Sequence, residues 1–315
     1  MKFDVAISFL ALKVIIIHET GMAGNQMRPR HALTNGTGFR ATMSLPGVLV
    51  TFGLVLFAMV LVVALAFRIN DGAFLKGPMS LANFITILTD SLYARVMLRS
   101  LWISGLVTLA TVATAYPVAW YLAFHAGKRR GLILFLVTLP FWTSYLLRVF
   151  AWKVVLAYNG VLNSAMVSLG IWDQPSTAFL NNPTAVIITL AHAYAPFAIL
   201  PIFVALQTIP RSLIEASSDL GASRTQVFAR IILPLSMPGV LGGALVVFVP
   251  TIGDYVTPAM LGGPSSTMIG NLIQAQFGKA NDWPFGAALA VATMLVILIA
   301  VILLRQADRR WGSRV

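Results

Sequence analysis

Six stretches of this chain, at 45–67, 100–124, 132–157, 184–209, 239–261 and 285–304, are apolar over about 20 residues or more. A helix needs about that many to cross the hydrocarbon of a bilayer. In lipid every backbone N–H and C=O must be satisfied within the segment or by a close neighbour, which leaves helices as the solution for runs of this kind. The fold class that follows is all-α: a polytopic membrane protein with six transmembrane helices. Only 10% of the residues are charged, against about 25% in soluble domains. The absence of cysteine excludes disulfides and thiolate metal sites.

The net charge of +12 would suit a nucleic-acid partner, but its distribution argues against one. Fifteen of the 22 basic residues fall in four segments: the N-terminal tail, the connection at Lys128, Arg129 and Arg130, the loop holding Arg211, Arg224 and Arg230, and the C-terminal tail. Alternate connections share one side of a membrane, and basic loops stay inside. Both termini and the 210–238 loop are therefore expected in the cytoplasm, with the protein in the cell membrane. Three regions result: an N-terminal cytoplasmic extension, 1–44, expected to be poorly ordered; a six-helix transmembrane bundle, 45–304, with its cytoplasmic loop at 210–238; and a basic tail, 305–315. Within the extension, 5–17 is apolar but too short to span. A start at Met27 or Met43 is an alternative reading, which an N-terminal peptide from the native protein decides. On the outer side, 81–88 reads as a short interfacial helix.

The 210–238 loop carries the densest signal. Residues 214–224 read as one short helix and a second begins near Thr225. Gly221 lies where the chain must turn, which glycine does without a Cβ penalty. Glu215 and Asp219 form an acidic pair one turn apart. Pro234 and Pro238 are expected to end helical segments. The product is a rigid, helix-bounded knob suited to a groove on a soluble partner.

Inside the spans the sole acidic residue is Asp254, in Val249-Pro250-Thr251-Ile252-Gly253-Asp254-Tyr255-Val256-Thr257-Pro258. Two prolines and a glycine predict a broken helix lining a cavity or the bundle interior. At 1.5 Å per residue, Asp254 lies roughly 22 Å from the inner face. Two readings stand for it: contact with cargo, or a structural carboxylate that pairs with Arg148 or caps the broken helix. In the third span Trp142, Tyr145 and Trp152 are spaced to share one face of a continuous helix, with Val149 between them and Arg148 and Lys153 beside. That stripe is either an aromatic conduit for cations or an interfacial belt. His192 reads as a hydrogen-bonded core histidine. No nucleophile–base pair and no metal-ligand cluster is visible. No G-x4-G-K-[ST] phosphate loop is present, so any ATP hydrolysis belongs to another chain.

Glu215-Ala216-Ser217, Gly221, Ile231, Leu233 and Pro234 follow the spacing E-A-S-x3-G-x9-I-x-L-P. This resembles the cytoplasmic "EAA" loop of binding-protein-dependent ABC transporter permeases, with Ser217 in place of the usual Ala. Asp254-Tyr255, Leu261-Gly262-Gly263, Asp282-Trp283-Pro284 and Leu139-Pro140-Phe141-Trp142-Thr143-Ser144 resemble the spermidine/putrescine-type group of these permeases, over roughly residues 45–310. The resemblance implies a type I ABC importer permease with the MetI-like fold. It implies a second permease subunit, an ATPase dimer that binds ATP and Mg, and a periplasmic solute-binding protein. It assigns ATPase coupling to Glu215, Ala216, Gly221, Ile231, Leu233 and Pro234, and the substrate pathway to Asp254, Tyr255, Trp142, Tyr145 and Arg148. The implied cargo is a small organic solute, by analogy a polyamine; an opine, an amino-acid derivative, an inorganic anion or ferric iron are the rivals. A secondary transporter fits less well, because the spans hold one acid and no clear repeat. The loop match predicts that Gly221→Asp leaves insertion intact but abolishes transport.

Overall fold

In the computed structural model, the backbone is described for residues 36–70 and 77–312, and side chains for 50–70 and 77–303. Residues 1–35 of the N-terminal extension lie outside the described residues. The chain divides into two units within its first described helix, Met1–Phe57 and Ala58–Val315. That helix, α1 (Gly36–Ala66), supplies the described part of the first unit, where the side chains from Val50 to Phe57 are exposed.

The second unit is built of helices joined by turns and irregular segments over its described length, with one isolated antiparallel bridge between Arg68 and Met79. Its elements are α2 (Ala82–Thr89), α3 (Ser91–Phe124), α4 (Arg130–Thr138), α5 (Tyr145–Val155), α6 (Val161–Ser168), α7 (Pro183–Gln207), α8 (Arg211–Asp219), α9 (Arg224–Ile252), α10 (Ile269–Ala275) and α11 (Trp283–Gly312). Among the described residues, four helices are long and apolar enough to cross a membrane: α3, α7, α9 and α11. A fifth candidate is the pair Gly127–Trp142 and Tyr145–Val155, bent by 91°. The expected span at 45–67 corresponds to α1, whose described apolar part is Val50–Ala66.

Helix α7 is apolar all round and is the hub. Val186, Leu190, Ala198, Ile202 and Leu206 on it are fully buried, as expected of a helix that presents no polar face. It packs between α3 and α9. Helix α3 contributes a face of small residues, Ser100, Ser104, Thr111, Ala115 and Ala119, all buried, which lets backbones approach closely. Two of its hydroxyls return to their own helix, Ser100 donating to the Val96 carbonyl and Thr111 to the Val107 carbonyl, while the buried Ser104 hydroxyl has no partner. On α9, Gly239 and Gly243 face α7. A β-carbon on Gly239 would collide with the Ala205 side chain and the Pro201 carbonyl; one on Gly243 would come within 3.2 Å of Ala198. This is the small-x3-small contact of membrane helices.

Three expectations need correction. The second span begins nine residues early, at Ser91, because Asp90 caps it by accepting from the Leu92 amide at 2.8 Å. The 132–157 span is not one helix. Pro140 tightens the chain into a 3-10 turn over Leu139–Trp142, and Thr143 is extended at φ −86°, ψ 153°, before α5 restarts. Pro234 and Pro238 do not end helices; α9 runs through both. A wide π turn at Phe228–Ile232 sits just before Pro234, where the Leu233 amide reaches back five residues to the Phe228 carbonyl. Such a turn accommodates a residue that has no N–H and crowds the preceding turn. The short helix expected at 81–88 is present as α2. It is tied to the end of α1 by Asn83, whose amide donates to the Ala66 and Arg68 carbonyls at 3.1 and 2.8 Å.

Candidate functional site: a capped knob and a carboxylate at a broken helix

Two places concentrate the sequence signals, and the backbone explains both. The first is the α8–α9 connection. Helix α8 ends in a Schellman turn: the Gly221 amide donates to the Ser218 carbonyl at 2.9 Å and the Ala222 amide to Ser217 at 3.1 Å. That turn requires the left-handed region, and Gly221 has φ +83°. Ser223 then starts α9 with a reciprocal cap. Its amide donates to Gln226 Oε1 at 2.8 Å, and the Gln226 amide donates to Ser223 Oγ at 3.3 Å. Only Leu220–Ser223 separates two helices whose facing ends are both closed, so the knob is stiff by construction.

The knob is rooted on one side and open on the other. Ile214 and Ala222 pack against the main core. Glu215, Ala216, Asp219 and Gly221 are exposed, and Leu220 stands at the tip with 89% of its surface accessible. The six residues expected to couple therefore separate. Glu215, Ala216 and Gly221 form the exposed knob. Ile231, Leu233 and Pro234 are half-buried at its base on α9, where Ile231 joins the core. Sequence reading missed how that base is fixed. Phe228, in the π turn, packs edge-on against Tyr116 and Trp120 of α3, and Tyr116 Oη lies 3.0 Å from Ser236 Oγ.

The second place is the break after α9. Helix α9 stops at Ile252; Gly253 and Asp254 turn, and a wide helical turn resumes through Pro258–Gly262. Several of the freed backbone groups find partners. The Asp254 amide donates to Thr251 at 3.1 Å, the Val256 amide to Asp254 Oδ1 at 3.1 Å, and the Tyr255 carbonyl accepts from Asn271 Nδ2 at 2.8 Å. Gly270 of α10 lies so close to the Gly253 and Asp254 carbonyls that a β-carbon there would overlap them. The break is thus held from two sides, as non-helical backbone at membrane depth must be.

Asp254 is 8% exposed. Its Oδ2 accepts from Tyr145 Oη at 2.8 Å, and Tyr145 Oη lies 2.7 Å from Thr257 Oγ1. A phenol has one proton, so with Tyr145 donating to the carboxylate, Thr257 donates to Tyr145. Arg148, one turn after Tyr145, sets its guanidinium over the Tyr145 ring, 5.8 Å from the centroid. It donates from Nη1 to the Ala193 carbonyl at 3.0 Å. It forms no ion pair with Asp254, so the capping form of the structural reading holds and the pairing form does not. The Tyr194 ring lies 6.5 Å from that of Tyr145.

Tyr145, Arg148 and Asp254 therefore come together, whereas Trp142 and Tyr255 stay outside. Trp142 is 71% exposed and Tyr255 46%. The bend at Thr143–Ser144 turns Trp142 off the stripe that Tyr145, Val149 and Trp152 keep on α5. His192 is exposed on α7 rather than in the core. Its Nδ1 accepts from Trp152 Nε1 at 3.1 Å, which leaves the proton of the neutral ring on Nε2. Thr257 and Tyr194 were not singled out from sequence; Thr257, one helical turn past Asp254, was the readable hint. Among the described residues no group of three His, Asp or Glu converges as metal ligands would.

A family profile described as the binding-protein-dependent transport system inner membrane component matches residues 115–313. Curated relatives include the spermidine/putrescine transport system permease protein PotB of Escherichia coli, 39% identical over 246 residues, covering 78% of this chain and 89% of that protein. The PotB protein of Haemophilus influenzae is 37% identical over 262 residues, covering 83% and 91%. Among solved structures, a bacterial ABC transporter involved in the import of the acidic polysaccharide alginate superposes with a TM-score of 0.66 at 19% identity. It covers 86% of this chain and 95% of that one, a likeness of fold.

Proposed function

We propose a function from one premise: the chain belongs to the family of binding-protein-dependent transport system inner membrane components. It is a multi-pass inner-membrane permease subunit of an ABC importer and not itself an enzyme. The knob at Arg211–Ser223 is the coupling element. It faces the cytoplasm and docks on an ATPase dimer, which binds ATP and Mg. Closure of that dimer moves the knob. The motion passes through Phe228, Ile231 and Ser236 into α3 and α9 and rocks the bundle between inward- and outward-open forms. A second permease subunit completes the pore, and a periplasmic binding protein delivers cargo to the outer loops.

The observation that carries this reading is the doubly capped knob with an apolar tip left in the open. A stiff knob closed at both facing helix ends and open on one face suits a groove on a soluble partner.

The cargo is a polyamine, putrescine or spermidine. Two things support that: the similarity to permeases of that name, and the single intramembrane carboxylate, Asp254, fixed by a tyrosine whose ring also attracts cations. Tyr145, Arg148 and Asp254 line the pathway; Trp142 and Tyr255 flank it from outside. The test is thermal shift of the binding protein that co-purifies with the subunit, screened against polyamines, opines, amino acids, sulfate and ferric iron. A shift with putrescine or spermidine is expected. A shift with another solute alone retires the polyamine assignment, and failure to recover any binding protein or ATPase retires the assembly.

A further inference from the structure

Arg148 is the group at this depth that the pathway does not yet explain. A guanidinium keeps its charge at any accessible pH, and a charge within a span is costly unless it is paired or functional. Arg148 has no carboxylate within ion-pair reach. One of its terminal nitrogens donates to the Ala193 carbonyl, while Nε is buried with no partner at all. A buried N–H left in this state calls for a reason.

Its position supplies one. The guanidinium lies over the ring of the same tyrosine whose hydroxyl holds Asp254. An alkylammonium drawn to Asp254 would be drawn to that ring face as well. Resting on the polyamine reading above, we infer that Arg148 is a resident stand-in for the cargo's cationic group. With the pathway empty it covers the Tyr145 face, and its charge and that of Asp254 sum to zero. His192, accepting from Trp152, adds no formal charge. When an ammonium arrives, Arg148 gives up the ring but keeps its hold on Ala193. The site then carries a net positive charge in a medium where like charges repel strongly. The cargo is passed on instead of retained. A conduit needs this balance, attractive enough to enter and weak enough to leave.

The experiment uses the complete transporter with its ATPase and second permease. It measures radiolabelled putrescine retained at equilibrium by the purified complex without binding protein, and maximal putrescine uptake in cells. Arg148→Met and Arg148→Gln should each retain putrescine about tenfold more tightly or better and lower maximal uptake. Arg148→Lys, which keeps the charge, should show no such gain in retention, and adding Asp254→Asn to Arg148→Met should abolish the gain. Arg148→Gln keeps a donor for Ala193, so it answers if the methionine variant is not inserted. Neutral variants that retain no more putrescine than wild type overturn the inference while leaving the polyamine reading intact, as does a lysine variant that retains as tightly as the neutral ones. A wild-type complex that moves neither putrescine nor spermidine overturns both.

Discussion

Replacing Gly221 separates two reasons a turn can demand glycine. Its φ of +83° lies where an L-residue pays roughly 1–2 kcal/mol, while asparagine and aspartate tolerate that region better. Space is not the constraint within this subunit, because a β-carbon on Gly221 would meet nothing within 4 Å. The penalty is therefore conformational, and it falls on the Schellman turn that orients α8 against α9. One to two kcal/mol changes a two-state population about 5- to 30-fold. Gly221→Ala should lower ATP-driven uptake by roughly tenfold, Gly221→Val by more because a β-branched residue is a genuine outlier there, and Gly221→Asn by only a few-fold. Membrane levels of the subunit should not change, since the turn lies outside the packed bundle. Uptake in cells, normalised to subunit by immunoblot, measures the series. Normal uptake with Gly221→Val would refute the conformational argument. Loss with Gly221→Asn as complete as with valine would show that the ATPase surface requires a bare α-carbon, and the abolition expected of Gly221→Asp would then be steric.

Leu220→Ala should weaken co-purification of the ATPase while leaving the subunit in the membrane, because the tip is 89% exposed in its own chain; unchanged co-purification would remove Leu220 from the interface. Gly239→Ala should cost about 1–3 kcal/mol through forced separation of α7 and α9 and reduce the thermal midpoint of the purified complex. Gly242→Ala, which has open space, should not; equal effects from the two would refute the packing argument. Tyr145→Phe should leave Asp254 one hydrogen bond short and lower polyamine uptake with normal subunit levels, and uptake equal to wild type would take Tyr145 out of the pathway.

The long helices were readable because lipid permits so few alternatives to a run of apolar residues. The knob was readable because its punctuation is local: Gly221 closes one helix and Ser223 with Gln226 opens the next, all within six positions. The bend at Thr143–Ser144 was not. Hydropathy runs evenly across it, and Pro140 with Ser144 were read as text within a span instead of as its interruption, so Trp142 was placed on a face it does not share. Pro234 failed the other way. Its missing donor suggested an end, and a single widened turn four residues upstream absorbed it. Gly239 and Gly243 were legible as a small-x3-small pair and went unread. The bond from Tyr145 to Asp254 joins residues 109 positions apart, and no local pattern encodes it.

The π turn at Phe228–Ile232 has a consequence for how loops can be exchanged among transporters of this kind. Each residue advances an α-helix by about 100°, and the wide turn takes up its extra residue locally, so the helix before it stays in phase with the helix after it. A residue added or removed outside that turn, between 224 and 227, would swing the knob a quarter-turn or more around the axis of α9. A grafted loop therefore has to bring 211–236 as one piece, matched in phase as well as in length; otherwise the subunit would insert and bind its neighbours with the lever pointing the wrong way.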